Sequence, residues 1–377
     1  MRPTLFAILT STTLMLAACG GESTRPMPPT LAPALPATAS ATAAPAETTP
    51  PPPPAKPALS DVMPEVIEGI FAASNAHDGP KEASFLSDDY VQIWYGGQES
   101  HGKSAFLEAG TKSSQRFADM KWAVTRVWLT GRVAVVECIW TGTFTNLPGD
   151  SLYREGGKSN PMGVKRAEVY VFGDDGLVKE RRVYNNGMGV RAQARGDKNA
   201  PPIEPLPTGA PEMHMAKGTA DEDKLGDWAK KIEDAFNTDD VAQVTPTLAE
   251  DVEYETWGVP SIKGKKDDVR DLQRFFKAFP DQKWTPTNVW AFEGFVVIEH
   301  VFTGTQKLPY GRFTKVTGKP VTGQHFLEIW QPNADGKLVH VWSYSNPLEA
   351  LKQTGATEDG QPTASNAGDQ RRAPSRP

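Results

Sequence analysis

Residues 121–143, KWAVTRVWLTGRVAVVECIWTGT, return further along the chain as residues 283–305, KWTPTNVWAFEGFVVIEHVFTGT. Lys-Trp opens both stretches, Val-Trp follows at the same distance, and Thr-Gly-Thr closes both. Each matched residue of the second stretch lies 162 positions after its counterpart, as Trp284 does after Trp122 (284 − 122). Apolar and β-branched side chains on either side of a Gly favour a pair of strands in both stretches. The match predicts that one domain is present twice.

The register of this repeat extends along most of the chain. Upstream, the offset of 162 pairs Asn75 with Asn237, and downstream an offset of 160 pairs Tyr184 with Tyr344. In each copy an amphipathic helical pattern comes first and a run of strands follows, with Asp-Gly pairs marking tight hairpins. Helices followed by antiparallel strands predict an α+β domain in which helices cover one face of a curved sheet.

The rest of the 377 residues differs in composition from the two copies. Pro, Ala and Thr dominate residues 22–59, which hold too little apolar surface to offset the entropy of ordering them. We predict a signal segment over residues 1–18, an extended tether over 19–59, domains over 60–194 and 221–355, an exposed Pro-rich linker over 195–220 and a disordered tail over 356–377.

The signal segment ends in a recognisable pattern. Arg2 precedes an apolar run over residues 5–16 that is too short to span a bilayer comfortably. The run closes in Leu-Ala-Ala followed by Cys19 and Gly20, which resembles the lipobox of bacterial lipoproteins. The resemblance implies that Cys19 is acylated and that Gly20 directs sorting to the outer membrane; the alternative is a simple signal peptide that carries a cysteine. We expect a lipid-anchored protein of the bacterial envelope.

The cysteine content limits the disulfide bonds that the chain can form, and its net charge limits the kinds of partner that it can bind. Cys138 is the only cysteine besides Cys19, so no disulfide within the chain can stabilise the exported domains. The net charge of −6 and the absence of a basic block argue against a nucleic-acid partner. We expect a small molecule and the membrane as partners and no cofactor; oligomerisation stays open.

Several motifs of the second copy, taken in order, point to a family. They are FNTDDVAQVTPTLAEDVEYETWG (236–258), FPDQKW (279–284), FTGT (302–305), TGK (317–319), DGKLVHVWSYSN (335–346) and LEALKQTG (348–355). This series resembles SnoaL-like proteins of the nuclear-transport-factor-2-like superfamily, which includes polyketide and ester cyclases. The resemblance covers residues 221–355 almost fully and residues 60–194 less completely. It implies two tandem cone-shaped domains, each a curved antiparallel sheet covered by helices around a mostly apolar pocket.

The resemblance also implies where an enzyme of this family would place its acid. A carboxylate near the end of the last strand acts as general acid/base in catalytic members, and this register falls on Asn346 in the second copy and Asn186 in the first. An amide cannot exchange a proton at accessible pH. The family's histidine after the Thr-Gly-Thr motif is also replaced, by Gln306 and Phe144. We therefore predict binding of a small apolar or aromatic molecule without catalysis.

Period-two alternation predicts which side chains would bind this molecule. Trp342, Tyr344 and Asn346 share one face of the last strand of the second copy. The other predicted ligand-binding residues are Tyr95, Tyr184, Asn186, Trp257 and His300. The alternative is that the aromatic side chains fill the cone as core.

Other residues offer an alternative chemistry in the second copy. Glu328 and His340 would face each other across a short hairpin and could act as a catalytic pair, which would make the protein a cyclase, isomerase or hydrolase. A metal site built from His300, His325 and His340 is less consistent with the facing of these strands. Glu137 and Glu299 occupy the same strand position in both copies and are predicted to lie on a solvated face.

Overall fold

The computed structural model describes residues 58–97, 99–149, 152, 155–311 and 313–356. The predicted signal segment and Cys19 lie outside these residues, as do the tether up to residue 57 and the tail from residue 357. Within the described part, no helix is long and apolar enough to cross a membrane. The described residues belong to one compact unit that contains both copies.

The first copy has its helices at the two ends and in the middle of a run of strands. Its elements are α1 (Leu59–Asn75), α2 (Gly79–Ser84), β1 (Leu86–Trp94), β2 (Glu99–His101), α3 (Gly102–Arg116), β3 (Lys121–Thr130), β4 (Val133–Phe144), β5 (Asn160–Phe172), β6 (Val178–Tyr184) and α4 (Gly187–Arg195). A short strand, β7 (Glu212–Met215), follows between the copies.

The second copy repeats this order. Its elements are α5 (Ala220–Phe236), α6 (Val241–Val244), a 3₁₀ turn (Thr245–Thr247), β8 (Leu248–Thr256), β9 (Ile262–Lys263), α7 (Lys265–Ala278), β10 (Lys283–Phe292), β11 (Phe295–Thr305), β12 (Pro320–Pro332), β13 (Leu338–Ser345) and α8 (Pro347–Thr354). Helix α5 starts in a capping box, in which Thr219 and Glu222 each accept a hydrogen bond from the other's backbone N–H.

Each copy forms one sheet, with strand order β2-β1-β6-β5-β4-β3-β7 in the first and β10-β11-β12-β13-β8-β9 in the second. The predicted α+β class is confirmed, but the sheets are mixed and not purely antiparallel. Strand β1 runs parallel to β6, and β8 runs parallel to β13. Almost a whole domain separates the two strands of each parallel pair, so no hairpin forces them to be antiparallel.

Matching side chains hold the two copies in the same internal geometry. The Asn75 side chain donates to the carbonyl of Trp122 at 3.0 Å and accepts from its N–H at 2.7 Å. Asn237 makes the same two bonds to Trp284, at 2.9 and 2.8 Å. These amides tie the end of the first helix of each copy to the start of the strand pair that revealed the repeat. The predicted duplication is therefore confirmed at the level of individual hydrogen bonds.

Both faces of each sheet are buried. One face packs against the helices of its own copy, as where Ala229 and Ile232 of α5 meet Val296 and Ile298. The other face packs against the sheet of the other copy. Residues of this second, inter-copy core are Trp128, Val135, Val169, Tyr184, Phe292, Val297, Leu327 and Tyr344.

Most residues of the Pro-rich segment between the copies are exposed, but the segment contains a strand and contacts the first copy. Strand β7 pairs in parallel with β3, placing Val127 opposite Met213. The Gln193 side chain donates to the carbonyls of Pro201 at 3.1 Å and Pro202 at 2.9 Å. Proline lacks a backbone donor but keeps its carbonyl, so these bonds fix the segment on the first copy.

Candidate functional site

The cone of the second copy contains a cavity of about 440 Å³. It lies between helices α5 and α7 and the sheet face that these helices cover. Its wall is mostly apolar and rich in rings. The apolar lining includes Phe236, Leu248, Val252, Leu272, Phe275, Phe279, Trp284, Phe302, Phe326 and Trp330. Such a cavity suits a small organic molecule.

A histidine and a glutamate form the polar centre of this cavity. His300 on β11 lies 2.6 Å through Nδ1 from Oε1 of Glu233 on α5, and both side chains are buried. The other ring nitrogen, Nε2, has no hydrogen-bond partner in the described part of the chain. Its nearest carboxylate is that of Glu328, at 3.8 Å. The ring thus has one nitrogen fixed and one free to contact a ligand.

The surrounding charges favour the protonated form of His300. Burial alone would lower its pKa, but the hydrogen bond to Glu233 and the charges of Glu328 and Glu233 outweigh burial and raise the pKa. Both oxygens of Glu328 already accept hydrogen bonds, from the Tyr254 hydroxyl at 2.6 Å and the Trp330 indole at 2.8 Å. In its protonated form, His300 presents an N–H donor to the cavity at Nε2.

Two aspartates of α7, Asp268 and Asp271, also line the cavity. Asp268 is buried, and no described residue forms an ion pair or side-chain hydrogen bond with its carboxyl group. Burial, followed by the negative charge of Asp271, raises the pKa of Asp268 to about 6. Asp271 itself accepts a hydrogen bond from the Tyr310 hydroxyl at 2.5 Å. The cavity thus holds a carboxyl group that changes charge near neutral pH.

Charged side chains occupy the corresponding interior of the first copy. Glu168 occupies the repeat position of Glu328 and is fully buried between Arg166 and Arg181. Burial alone would raise the pKa of Glu168, but the two arginines outweigh it and lower the pKa to about 2. Cys138 takes the position of His300, and burial raises its pKa to about 12. The acid/base set is therefore specific to the second copy.

The predicted ligand-binding face of β13 is the opposite of the face that meets the cavity. Val341, Ser343 and Ser345 line the cavity, whereas Trp342 and Tyr344 pack in the inter-copy core. The Trp342 ring lies 3.9 Å from the guanidinium of Arg126 in the first copy. Alternation places these aromatic residues on one face correctly. Alternation does not indicate which of the two faces meets the cavity, because both faces are buried.

The two asparagines at the family's acid position also act across the copies. Asn346 caps α8 by accepting from the Leu348 N–H at 3.2 Å and donates to the Tyr95 carbonyl at 2.7 Å. Asn186 caps α4 through Gly189 at 3.0 Å and donates to the Trp257 carbonyl at 3.0 Å. An amide has both the acceptor and the donor that these two tasks need. Only Asn186 also touches the edge of the cavity.

The other predicted aromatic ligands lie outside the cavity. Tyr95 stacks on His325, with ring centroids 4.1 Å apart, and lies next to Tyr184 in the contact between the copies. Trp257 extends from the second copy into an apolar cluster of the first, which includes Phe117 and Trp140. Of the eight predicted ligand-binding residues, His300 is the one that the structure places at the centre of the cavity.

The predicted Glu328–His340 pair is wrong. The register pairs Glu328 with Ser343 and His340 with Gln331, so the two side chains lie on opposite faces. His340 stacks on Trp342 and lies 3.7 Å from Glu255. In the described ranges, no group of three His, Cys, Asp or Glu residues is arranged to hold a metal ion.

The remaining histidines and glutamates also lie apart from the cavity. His325 lies 2.7 Å from Glu349 on α8. Glu137 and Glu299 are buried between the copies, not solvated as predicted. Each of these two glutamates accepts a hydrogen bond from a tyrosine of the other copy.

Sequence reasoning missed Glu233 and Asp268. Both are acidic residues inside the otherwise apolar stripe of a helix, next to Ile232 on α5 and four residues before Leu272 on α7. The repeat held the signal: at the offset of 162 the first copy has Phe71 in place of Glu233 and Phe106 in place of Asp268.

A sequence model of the SnoaL-like domain matches the chain twice, over residues 67–181 and 229–341, which together exceed half of its length. No curated protein is detectably similar to the chain. Similar solved structures include AclR of Streptomyces galilaeus, provisionally assigned as a hydroxylase: 22% identity, 36% of this chain and 97% of that chain covered, TM-score 0.32. A SnoaL-like protein of Jannaschia species CCS1, provisionally assigned as a polyketide cyclase, shares 15% identity over 37% of this chain and 96% of its own, with a TM-score of 0.33. A phenazine biosynthesis-related protein of Pseudomonas aeruginosa shares 18% identity over 43% and 94%, with a TM-score of 0.31.

Proposed function

The chain belongs to the SnoaL-like family, a family of polyketide cyclases and related proteins, in two tandem copies, and we propose that its second domain binds a small, mostly apolar molecule. The observation that carries the proposal is the free Nε2 of His300 in a ring-lined cavity of about 440 Å³. A buried hydrogen-bonding atom without a partner costs about 1 to 3 kcal/mol. A ligand that forms a hydrogen bond with Nε2 would remove this cost while its apolar body displaces water from the rings.

The first domain supports this function as a structural partner. Its interior is occupied by Arg166, Glu168 and Arg181, and its sheet covers the outer face of the second sheet. This packing fixes β11 and β13, which carry His300 and Ser343 at the cavity wall. Because the wall is already rigid, less conformational entropy of the protein is lost when a ligand binds.

We further propose that the protein acts at the bacterial envelope. The support is the Leu-Ala-Ala-Cys19-Gly20 pattern after an apolar signal segment. Two or more acyl chains on Cys19 would hold the protein stably at a membrane, whereas one chain alone gives only weak, reversible binding. The Pro-rich residues 22–59 would then separate the binding domain from the bilayer.

A second candidate function is proton transfer in the same cavity. The hydrogen bond of 2.6 Å that His300 makes to Glu233 orients its ring, and the carboxyl group of Asp268 has a pKa of about 6. Groups that titrate near neutral pH are suited to general acid/base catalysis. This chemistry would not use Asn346, whose amide caps α8 instead.

Titration of the purified chain with neutral two-ring aromatics such as 2-naphthol tests the binding proposal. Calorimetry and the fluorescence of cavity tryptophans such as Trp284 would report binding. His300→Gln should weaken the affinity about tenfold, the equivalent of one hydrogen bond of about 1.4 kcal/mol. Cys138→Ser, at the same repeat position of the first copy, is the matched control and should leave the affinity unchanged. No binding by any such compound or by its cationic amine analogue, or equal affinity in His300→Gln, would refute the proposal. Conversion of a bound compound that is lost in His300→Gln would favour the catalytic candidate.

A further inference from the structure

Both cones contain a buried glutamate at the same repeat position, Glu168 in the first and Glu328 in the second. The charges around these two glutamates differ. In the first copy Arg166 and Arg181 place two positive charges beside Glu168. The second copy has Phe326 and Val341 at the positions of these arginines. The space occupied by two guanidinium groups in one cone is thus lined by apolar side chains in the other.

The second cone has instead gained acids. Glu233 and Glu328 flank His300, with a carboxylate oxygen of each at 2.6 and 3.8 Å from the two ring nitrogens. On α7, Asp271 has Arg274 as an ion-pair partner at 3.5 Å. Asp268 has no such partner in the described part of the chain, although it is only 8% exposed. The described lining therefore carries more negative than positive charge.

The rings of the cavity can also attract a positive charge. In the first copy the guanidinium of Arg166 lies over the Trp122 ring, 4.2 Å from its centroid. Trp284 is the residue at this position of the second copy and lines the cavity. Phe275 and Tyr310, with centroids 5.4 Å apart, add two further ring surfaces next to the acidic face of α7. The face of an aromatic ring is electron-rich and binds cations.

We infer that the second domain selects a cationic ligand, an organic amine whose protonated nitrogen pairs with Asp268 while its apolar body rests on the rings of Trp284, Phe275 and Tyr310. The inference rests on the proposed binding function and names the chemical class of its ligand. The amine would bring into the second cone a positive charge, which Arg166 and Arg181 supply in the first. His300, with its free nitrogen, is a separate polar contact for the same molecule.

The pH dependence follows from the charge of Asp268. Above its pKa of about 6 the carboxylate is negative and attracts the amine; below it the acid is neutral and the attraction is lost. A neutral ligand that accepts a hydrogen bond from the protonated acid would show the opposite trend. The other titratable or charged groups that line the cavity are Glu233 on α5, Tyr254 on β8, Asp271 and Arg274 on α7, His300 on β11, Glu328 on β12 and Tyr310.

A pair of probes of equal shape, 2-naphthylmethylamine and 2-naphthylmethanol, tests the inference on the full chain at pH 5 and pH 7.5. At pH 7.5 the amine should bind about tenfold more tightly than the alcohol, because a charged hydrogen bond contributes about 1.5 kcal/mol or more. The preference should fall as the pH is lowered to 5. Asp268→Asn should remove most of the preference and of its pH dependence while the alcohol binds as before.

Asp267→Asn is the matched control, because Asp267 lies on the same turn of α7 and pairs with Arg270 outside the cavity, at 3.1 Å. It removes the same charge and should preserve the preference for the amine. Equal or tighter binding of the alcohol would overturn the inference and leave the binding proposal standing. Failure of both probes to bind would overturn both. Independently of any variant, the preference of the wild type for the amine over the alcohol at pH 7.5 decides whether the cavity selects a cation.

Discussion

The hydroxyl group of Tyr184 in the first copy donates a hydrogen bond of 2.6 Å to the carboxylate of Glu299 in the second. The relationship is reciprocal, because Tyr344 of the second copy donates to Glu137 of the first. Arg182 also crosses to Glu299, with two bonds of 2.7 and 2.8 Å. The two copies thus meet through the same residues in both directions, which ties them into one unit around a shared apolar core.

Loss of one of these hydroxyl groups should destabilise the whole chain. Tyr184→Phe removes a donor from a buried carboxylate, and we expect the free energy of unfolding to fall by about 1.5 to 3 kcal/mol. Urea titration followed by circular dichroism measures this change. Tyr90→Phe is the control, since Tyr90 donates at 3.0 Å to the neutral side chain of Gln92 within the first copy. Tyr90→Phe should lower the free energy of unfolding by less, about 1 kcal/mol. An equal loss in both variants would mean that the bond between the copies contributes no more than one within a copy.

Limited proteolysis should leave both copies in one fragment. Residues 195–220 contain strand β7, and the Gln193 side chain binds the carbonyls of Pro201 and Pro202. Cleavage requires local unfolding, which these contacts oppose. Mass spectrometry of the resistant fragment should therefore give a product that spans about residues 60–355. Two separate fragments of domain size would instead mean that these contacts do not protect the exposed segment from cleavage.

Asp268→Asn should stabilise the protein, and more so at high pH. The pKa of Asp268 is about 6 in the folded protein, above its ordinary value of 3.8, so the folded state binds the proton more tightly. The resulting stability is fully present below pH 3.8 and is lost as the pH rises through 6. At pH 7.5 the charged carboxyl group costs about 2 to 3 kcal/mol. The variant should gain about this much at pH 7.5 and little at pH 4, as measured by urea unfolding at both values.

Arg181→Val introduces the residue found at the equivalent position 341 of the second copy. It leaves Glu168 buried with Arg166 as its remaining cation, and we expect a loss of about 3 kcal/mol in unfolding free energy at pH 7. Glu168 has a pKa of about 2, below its ordinary 4.5, so its stabilisation is present above pH 4.5 and lost as the pH falls toward 2. Lys179→Val on the same strand is the control, because the Lys179–Asp89 pair is exposed and contributes little.

Cys19→Ala tests the proposed anchor. The wild-type chain should partition with the membrane fraction and carry acyl groups on the N-terminal cysteine, and the variant should keep its unprocessed N-terminus without acylation. Mass spectrometry of the N-terminal peptide distinguishes the two. Cys138→Ala should leave the acylation unchanged. A wild-type protein found soluble and without acyl mass would refute the lipoprotein proposal.

The sequence by itself determined the features that depend on local periodicity. The repeat at an offset of 162, the helical stripe from Met63 to Phe71 and the Asp-Gly hairpins each appear in the structure where the pattern predicts them. These features are local because a helix or a hairpin fixes its own side-chain spacing. The order of motifs was also enough to identify the family, since the family model matches both copies.

Only the tertiary structure decided what each face does. Trp342 and Ser343 are neighbours, yet one packs against the first copy and the other lines the cavity. Both faces of the sheet are buried, so alternation had no solvated side from which to assign them. The contacts that define the site and the interface join distant positions, as in the Glu233–His300 pair and the Tyr184–Glu299 pair, which are 67 and 115 residues apart. Such contacts form because the sheets bring these side chains together, and no local pattern encodes that approach.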